Sequence, residues 1–163
     1  MQLAILSDIH DNTQNLRRAL QKALDAGCTQ LLFLGDMTTP GTLRLLLELW
    51  PHEMQLVPGN NDYSWGDIHN APGMHRACFH NVCAEIETGG RRLYMTHVPS
   101  NGVRYAAECG EYDLVLFGHT HRSELQMCGH TIVANPGDIQ GRYGTPSFAV
   151  YDTEAHRLTH IAL

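Results

Sequence analysis

Cysteine is scarce in this sequence and is not arranged for cross-linking. The chain has 163 residues and five cysteines, an odd number, and no pair shows the C-x-x-C spacing. These features argue against a disulfide framework and a thiolate zinc site, and they fit a reducing, cytoplasmic environment. We therefore expect a single domain, residues 1–163, that is stabilised by an apolar core rather than by cross-links.

Long apolar runs and an excess of positive charge are also lacking. No apolar stretch approaches the roughly 20 residues that span a bilayer, and the first segment, MQLAILSDIH, lacks the basic start of a signal peptide. The net charge is −6 and no basic stripe stands out, so we expect neither membrane association nor a stable nucleic-acid complex. An acidic protein that handles phosphate needs imported positive charge, which metal ions commonly supply.

Hydrophobic patterning in the first third predicts alternating strands and helices. Leu16, Leu20 and Leu24 recur at i, i+4 and i+8, the period of an amphipathic helix. The resulting βαβαβ order is typical of parallel strands joined by helical crossovers. The predicted elements are strands at 2–7, 31–35 and 54–59 and helices at 12–27 and 41–50.

The second half carries more strand signals. Gly89 and Gly90 separate two strand-like segments, which predicts a hairpin, and a second hairpin is predicted to turn at Gly129. Residues 63–80 show no clean period and are predicted to form a long loop. We expect two packed sheets built from strands at 82–88, 91–96, 113–118, 147–153 and 156–163 and the pair within 123–135, with a short helix at 101–110.

Metal-competent side chains follow five of the predicted strands. Asp8 and His10 follow the first strand, and His119 and His121 follow the strand at 113–118, each pair spaced i, i+2. Open α/β sheets bind ligands at the carboxyl ends of their strands, and this spacing puts both side chains on one side of extended backbone. The full predicted set is Asp8, His10, Asp36, Asn60, His97, His119 and His121.

The composition of this set indicates its chemistry. Two carboxylates, four imidazoles and one amide oxygen suit borderline divalent ions such as Mn²⁺, Fe²⁺, Co²⁺, Ni²⁺ or Zn²⁺. Seven ligands exceed the need of one tetrahedral ion and suit two ions, an arrangement that serves phosphoester hydrolysis. A single Asp at a strand end is more often a helix cap or a turn residue, so the prediction depends on all seven together.

The other seven histidines lack this strand-end position. His69 and His75 lie in the predicted loop and are candidate substrate-binding residues. The rest are expected to be surface or ordinary partly buried residues, namely His52, His80, His130, His156 and His160.

Short motifs occur along the chain in a recognisable order: SDIHDN (7–12), GD (35–36), GNND (59–62), TH (96–97), GHTH (118–121) and NPGD (135–138). This order resembles the calcineurin-like metallophosphoesterase superfamily, and most closely its small bacterial and archaeal phosphodiesterase branch. The resemblance implies a four-layer α/β/β/α sandwich with a dinuclear metal site. It also implies hydrolysis of a small phosphodiester by a hydroxide that bridges two divalent ions, for which Mn²⁺ is the expected metal.

The resemblance further divides the seven residues between the two ions, with Asp36 as the bridge. One ion would be held by Asp8, His10, Asp36 and His121, and the other by Asp36, Asn60, His97 and His119. Asn12, which ends the first motif, is a third candidate substrate-binding residue.

Asn61 is the main departure from the superfamily pattern, because many members have at this position a histidine that protonates the leaving group. A carboxamide donates a hydrogen bond but is not a general acid near neutral pH, so the sequence favours diesters over monoesters. Asn61 and Asp62 are the candidate catalytic residues, and Asp62 is explained equally well as a turn residue. Two smaller departures are Val98 and Asp138, which stand where Gly and Ser are common.

Two other functions fit the sequence less well. A phosphomonoesterase or protein phosphatase of the same superfamily is one, but 163 residues leave little material for a protein-substrate groove. A non-catalytic scaffold is the other, since the branch contains a retromer subunit of this fold, but a scaffold has no physical need for seven metal-competent groups. A homo-oligomer is compatible with each of these functions.

Overall fold

The computed structural model describes residues 1–62 and 71–163, and its elements within those ranges are eleven strands and three α-helices. The strands are β1 (Gln2–Leu6), β2 (Cys28–Phe33), β3 (Glu53–Leu56), β4 (Ala77–Phe79), β5 (Cys83–Thr88), β6 (Arg91–Thr96), β7 (Leu114–Leu116), β8 (Ser123–Cys128), β9 (Thr131–Pro136), β10 (Ser147–Asp152) and β11 (Arg157–Ala162). The helices are α1 (Thr13–Asp25), α2 (Pro40–Leu49) and α3 (Val103–Glu108). None of these helices is long and apolar enough to cross a membrane.

The strands form two mixed sheets. The first has the order β11-β10-β1-β2-β3-β4, in which β1 to β4 run parallel to one another. Strand β10 is antiparallel to β1, and β11 is antiparallel to β10. The second has the order β5-β6-β7-β9-β8, with a parallel centre and an antiparallel strand at each edge. The parallel centre of the first sheet arises because β1, α1, β2, α2 and β3 follow the predicted crossover order.

The faces of β1 divide between two apolar cores. Leu3 and Ile5 pack between the two sheets, whereas Ala4 and Leu6 pack on the other side against the helices α1 and α2. This division follows from the period of two along a strand. A third core lies between α3 and the outer face of the second sheet. The layers therefore run α/β/β/α, which is the predicted fold.

The prediction of one long loop over residues 63–80 is wrong for residues 74–79. Residues Ala77–Phe79 form β4, which pairs in parallel with β3, and a 3₁₀ turn, Met74–Arg76, comes just before it. A three-residue edge strand is too short to show a hydrophobic period, and Cys78 at its centre is exposed. The other part of the predicted loop, 63–70 with His69, lies outside the described residues.

Candidate metal centre

The segments that follow β1 and β7 bring one carboxylate and two imidazoles together. Nε2 of His121 lies 3.4 Å from Oδ1 of Asp8, and Nε2 of His10 lies 3.8 Å from the same oxygen. The rings of His10 and His121 are stacked, with their centroids 5.1 Å apart. The three ligand atoms all lie within 4.8 Å of one another, which is close enough for one ion to contact all of them.

Asp36, which follows β2 after Leu34 and Gly35, links this group to a second one. Its Oδ2 lies 3.4 Å from Nε2 of His10 and 3.4 Å from Nε2 of His97, which belongs to the other sheet. Asp8, Asp36 and His97 also satisfy the 4.8 Å limit. An oxygen between two imidazoles is the position that a bridging carboxylate needs.

Asn60 completes the cluster on the side of His97. Its Oδ1 lies 3.1 Å from Nε2 of His97 and 2.8 Å from Nδ1 of His119. The structure therefore brings all seven predicted residues into one continuous set of contacts. Their assignment as ligands of two ions stays a prediction.

Hydrogen bonds away from the cluster fix which ring nitrogen of two histidines faces it. Nδ1 of His97 donates to the backbone carbonyl of Leu34 at 2.7 Å, and Nδ1 of His121 donates to Oδ2 of Asp138 at 2.9 Å. Each bond places the proton on Nδ1 and leaves the Nε2 lone pair for a metal ion. The geometry thus leaves Nε2 of both rings available as a ligand atom.

Several buried polar atoms in the cluster need a cation. Oδ1 of Asp8 and Nε2 of His10 are buried without a hydrogen-bond partner, although such atoms are rarely unpaired in folded proteins. Asp8 and Asp36 are almost fully buried, and within residues 1–62 and 71–163 neither carboxylate pairs with a lysine or arginine. Two buried carboxylates without a fixed positive charge are costly, and divalent ions would remove that cost. The residues present therefore fit a divalent metal centre.

The electrostatics of Asp36 and His97 are coupled. Burial acts to raise the pKa of Asp36, but contact with His97 and hydrogen bonds from Asn61 hold that pKa well below its usual range. Burial acts to lower the pKa of His97, yet Asp36 and Asp8 together raise it above the ordinary value. The proton that the charged His97 ring carries on Nε2 must leave before an ion binds there. Metal affinity is therefore expected to fall as the pH drops below this raised pKa.

The backbone around the cluster is strained. Among the described residues, seven of the eight non-glycine residues with positive φ lie in the segments that carry these ligands, with φ between 43° and 83°. Each such residue costs about 1–3 kcal/mol, a cost that persists where the surroundings force the geometry, as they do at functional sites. These residues are Asp8, His10, Asp11, Asp36, Thr38, His119 and His121.

Glycine precedes several of the predicted ligands because the segments pack too closely for a side chain. A Cβ on Gly59 would lie 2.1 Å from Oδ1 of Asp36, and a Cβ on Gly118 would lie 2.1 Å from Oγ of Ser7. Neither contact is sterically allowed, so the glycines of the GNND and GHTH motifs let the ligand segments approach one another.

Asn61 and Asp62 both act on Asp36. The side chain of Asn61 donates from Nδ2 to Oδ2 of Asp36 at 2.7 Å, and its backbone N–H donates to Oδ1 at 2.8 Å. The carboxylate of Asp62 accepts backbone N–H bonds from Asp36, Thr38 and Gly59, at 2.8, 2.9 and 2.8 Å. Asp62 thus ties two ligand segments together, which is a positioning role and extends the turn interpretation.

Asn12 and His75, two of the candidate substrate-binding residues, form no hydrogen bond with the seven cluster residues in the described part of the chain. Oδ1 of Asn12 caps α1 by accepting from Asn15 N at 3.1 Å, and its Nδ2 donates to the carbonyl of Gln140 at 3.2 Å. His75 is exposed and lines a depression beside β3 and β4 that includes none of the seven cluster residues. The contacts of Asn12 are structural, and its substrate role, like that of His75, stays a prediction.

Asp138 is the site residue to which the sequence assigned no role. It is 3% exposed, follows β9 in the NPGD motif, and bonds to the ring of His121. Its position repeats the strand–glycine–carboxylate pattern of Gly35 and Asp36, so the strand-end rule could have found it. The same carboxylate oxygen accepts the backbone N–H of Arg142 at 2.9 Å, which connects the cluster to the β9–β10 segment.

A comparison with known protein families decides the classification. The sequence profile of the calcineurin-like phosphoesterase superfamily domain matches residues 1–156. The chain belongs to this superfamily. The membership that the order of motifs predicts is therefore confirmed.

Curated relatives and a solved structure are similar over the whole chain. Phosphodiesterase MJ0936 of Methanocaldococcus jannaschii is 25% identical over 166 residues, covering 100% of this chain and 99% of the relative. Phosphodiesterase YfcE of Escherichia coli K12 is 26% identical over 180 residues, covering 100% and 92%. A solved archaeal phosphodiesterase superimposes with a TM-score of 0.91 at 25% identity, covering 100% of both chains. These likenesses confirm the fold and the small phosphodiesterase branch.

Proposed function

We propose that this protein is a metal-dependent phosphodiesterase that holds two divalent ions, with Mn²⁺ as the expected metal. The observation that carries the proposal is the position of Asp36 Oδ2, 3.4 Å from an imidazole nitrogen on either side. The names of its relatives support the choice of a phosphodiester as substrate.

The two carboxylates of the cluster are suited to different tasks. Oδ2 of Asp8 already accepts from Ser7 Oγ at 2.5 Å and from the N–H of His119 at 3.0 Å, which leaves only its Oδ1 for an ion. Asp36 instead turns Oδ2, which also accepts from Asn61 Nδ2 at 2.7 Å, toward His10 and His97 together. This difference supports Asp8 as a ligand of one ion and Asp36 as the bridge.

Bound at these residues, two ions would supply an activated water and neutralise the charge on the phosphoryl oxygens. The chain's own residues hold the geometry for that chemistry. Asn61 and Asp62 orient Asp36, while Leu34 and Asp138 orient the imidazoles. Asn61 cannot protonate a leaving group, so the enzyme should favour esters whose leaving group departs without a proton.

A direct test compares two aryl substrates with Mn²⁺-loaded protein. We expect bis(p-nitrophenyl) phosphate to be hydrolysed at least about tenfold more efficiently, by kcat/KM, than p-nitrophenyl phosphate. The leaving group is the same in both, so the ratio measures the preference for diester over monoester. A clear monoester preference would instead support a phosphomonoesterase, and absence of turnover with Mn²⁺, Ni²⁺ and Zn²⁺ would support a scaffold.

The variant Asn61→His supplies the matched comparison for this test. It places a titratable group beside Asp36, and with the corresponding phenyl esters, whose leaving group needs a proton more than p-nitrophenolate does, we expect it to raise monoester turnover relative to diester turnover. Asn61→Gln is the control, because it keeps an amide and adds no acid. An unchanged ratio in Asn61→His would contradict the assignment of residue 61 to the leaving-group side.

A further inference from the structure

A pocket opens beside His121. Its volume is about 570 Å³, a size typical of small-molecule sites. His121 belongs to its wall, so a phosphoryl group at the metal centre would have one ester arm next to this space. The other lining residues include Arg122, Ser123, Asp138, Tyr143, Thr145 and Ser147.

Hydrogen bonds fix several of the residues that line the pocket. Ser123 Oγ and Ser147 Oγ are 2.9 Å apart, and the backbone N–H of Ser147 donates to the carbonyl of Asp138 at 2.9 Å. The N–H groups of Ile139 and Gln140 donate to the carbonyls of Ser7 and Asp8 at 3.1 and 3.0 Å. The segment after β9 is thus fixed to the metal centre, which positions the pocket relative to the ligands.

The rim carries an exposed aromatic ring. Tyr143 is 65% exposed, and its ring meets the edge of the His121 ring with centroids 5.8 Å apart. The guanidinium of Arg142 lies 5.2 Å from the centroid of the Tyr143 ring. A tyrosine in contact with a predicted metal ligand and still open to solvent offers a stacking surface for a planar group of the substrate.

One arginine, Arg122, lines the pocket, and a second, Arg142, lies beside it against the Tyr143 ring. Arg122 and Arg142 form no ion pair with any carboxylate of residues 1–62 or 71–163, unlike Arg91 and Arg104, which pair with Asp113 and Glu108. The one acidic side chain of the lining, Asp138, is engaged by His121 and Arg142 N–H. Unpaired guanidinium groups beside an aromatic ring suit a ligand with a planar ring and an anionic phosphate.

We propose that this pocket is the subsite for the nucleoside arm of a nucleotide-type phosphodiester. The inference rests on the proposed phosphodiesterase function and adds to it the class of the substrate. Tyr143 stacks on the base, Arg122 attracts the anionic phosphodiester group, and the hydroxyls of the lining face the sugar and base edge.

The test uses two diesters with the same leaving group, the p-nitrophenyl ester of thymidine monophosphate and methyl p-nitrophenyl phosphate. With Mn²⁺-loaded wild type, KM for the nucleoside ester is expected to be at least about tenfold lower. Tyr143→Ala should raise that KM about tenfold, as expected for loss of one stacking contact, and change KM for the methyl ester less than about twofold. Tyr143→Phe should restore the wild-type KM, because it keeps the ring.

Tyr105→Ala is the matched control, since Tyr105 is 78% exposed on α3 and does not line the pocket. Equal KM values for the two esters in wild type, or an unchanged KM in Tyr143→Ala, would overturn the subsite. Calorimetric binding of thymidine monophosphate to the Mn²⁺-loaded protein separates the two proposals. If wild type hydrolyses neither ester, the phosphodiesterase proposal fails, while a Kd that rises in Tyr143→Ala still supports the pocket and an unchanged Kd rejects it.

Discussion

Replacing Asp36 by Asn is expected to lower diester turnover by about a thousandfold and to abolish binding of the second Mn²⁺ ion. The amide has nearly the same shape as the carboxylate, but it lacks the charge that faces His10 and His97 across 3.4 Å on each side. Steady-state kinetics with bis(p-nitrophenyl) phosphate would measure the loss. The fold should persist, because the side chain lies beyond the carboxyl end of β2 and belongs to none of the three cores.

The control for Asp36→Asn is Asp25→Asn, which removes the same charge from an exposed position at the end of α1. It should leave turnover unchanged within about twofold, since exposed surface substitutions have little effect. Asp36→Asn with wild-type turnover and an unchanged circular dichroism spectrum would show that the carboxylate is not the bridge. Unfolding of the variant would instead call for Asp36→Glu, in which the charge is kept but displaced and turnover should still fall.

Removing the carboxylate of Asp138 is expected to weaken Mn²⁺ binding by about 10- to 100-fold. The hydrogen bond of 2.9 Å from His121 Nδ1 holds the ring and keeps Nε2 as the free ligand atom. Asp138→Ala loses both the bond and the charge, whereas Asp138→Asn keeps an acceptor and should lose less. Calorimetric titration of metal-free protein with Mn²⁺ measures the affinity of each variant independently of turnover.

Glu124→Gln is the matched control for this experiment. Glu124 is an exposed carboxylate on β8 that bonds to Thr120 and does not contact His121. Its neutralisation changes the net charge equally, so its Mn²⁺ affinity should stay within about twofold of wild type. If Asp138→Ala binds Mn²⁺ as tightly as this control, Asp138 serves only to hold Arg142 N–H and the segment after β9.

The cluster could be predicted because short buried runs are easy to recognise and parallel pairing aligns their ends. The runs that form β1, β2 and β3 end in buried apolar residues, so the polar residues that follow them are conspicuous in the sequence. The segments that form β6 and β7 repeat this pattern. The same rule therefore predicts His97 and His119 as members of the cluster. The superfamily resemblance implies the order in which the sheets and helices stack, which hydrophobic periodicity alone does not give.

Other features depend on contacts between distant segments and had no such signal. The bond from His97 to Leu34 joins the two sheets, and no local pattern records how sheets stack. Tyr143 is an exposed aromatic in a glycine-rich segment without a period, and only the folding of that segment brings it against His121. Three-residue β4 is visible only through its pairing with β3.

The number of Mn²⁺ ions bound per chain tests the central claim most directly. Metal-free wild type, loaded with Mn²⁺ and analysed by native mass spectrometry and elemental analysis, is expected to hold two ions, and Asp36→Asn at most one. Diester turnover should rise with occupancy of the second ion. A wild-type protein that hydrolyses the diester at full rate with a single bound ion, or that binds none, would contradict the account.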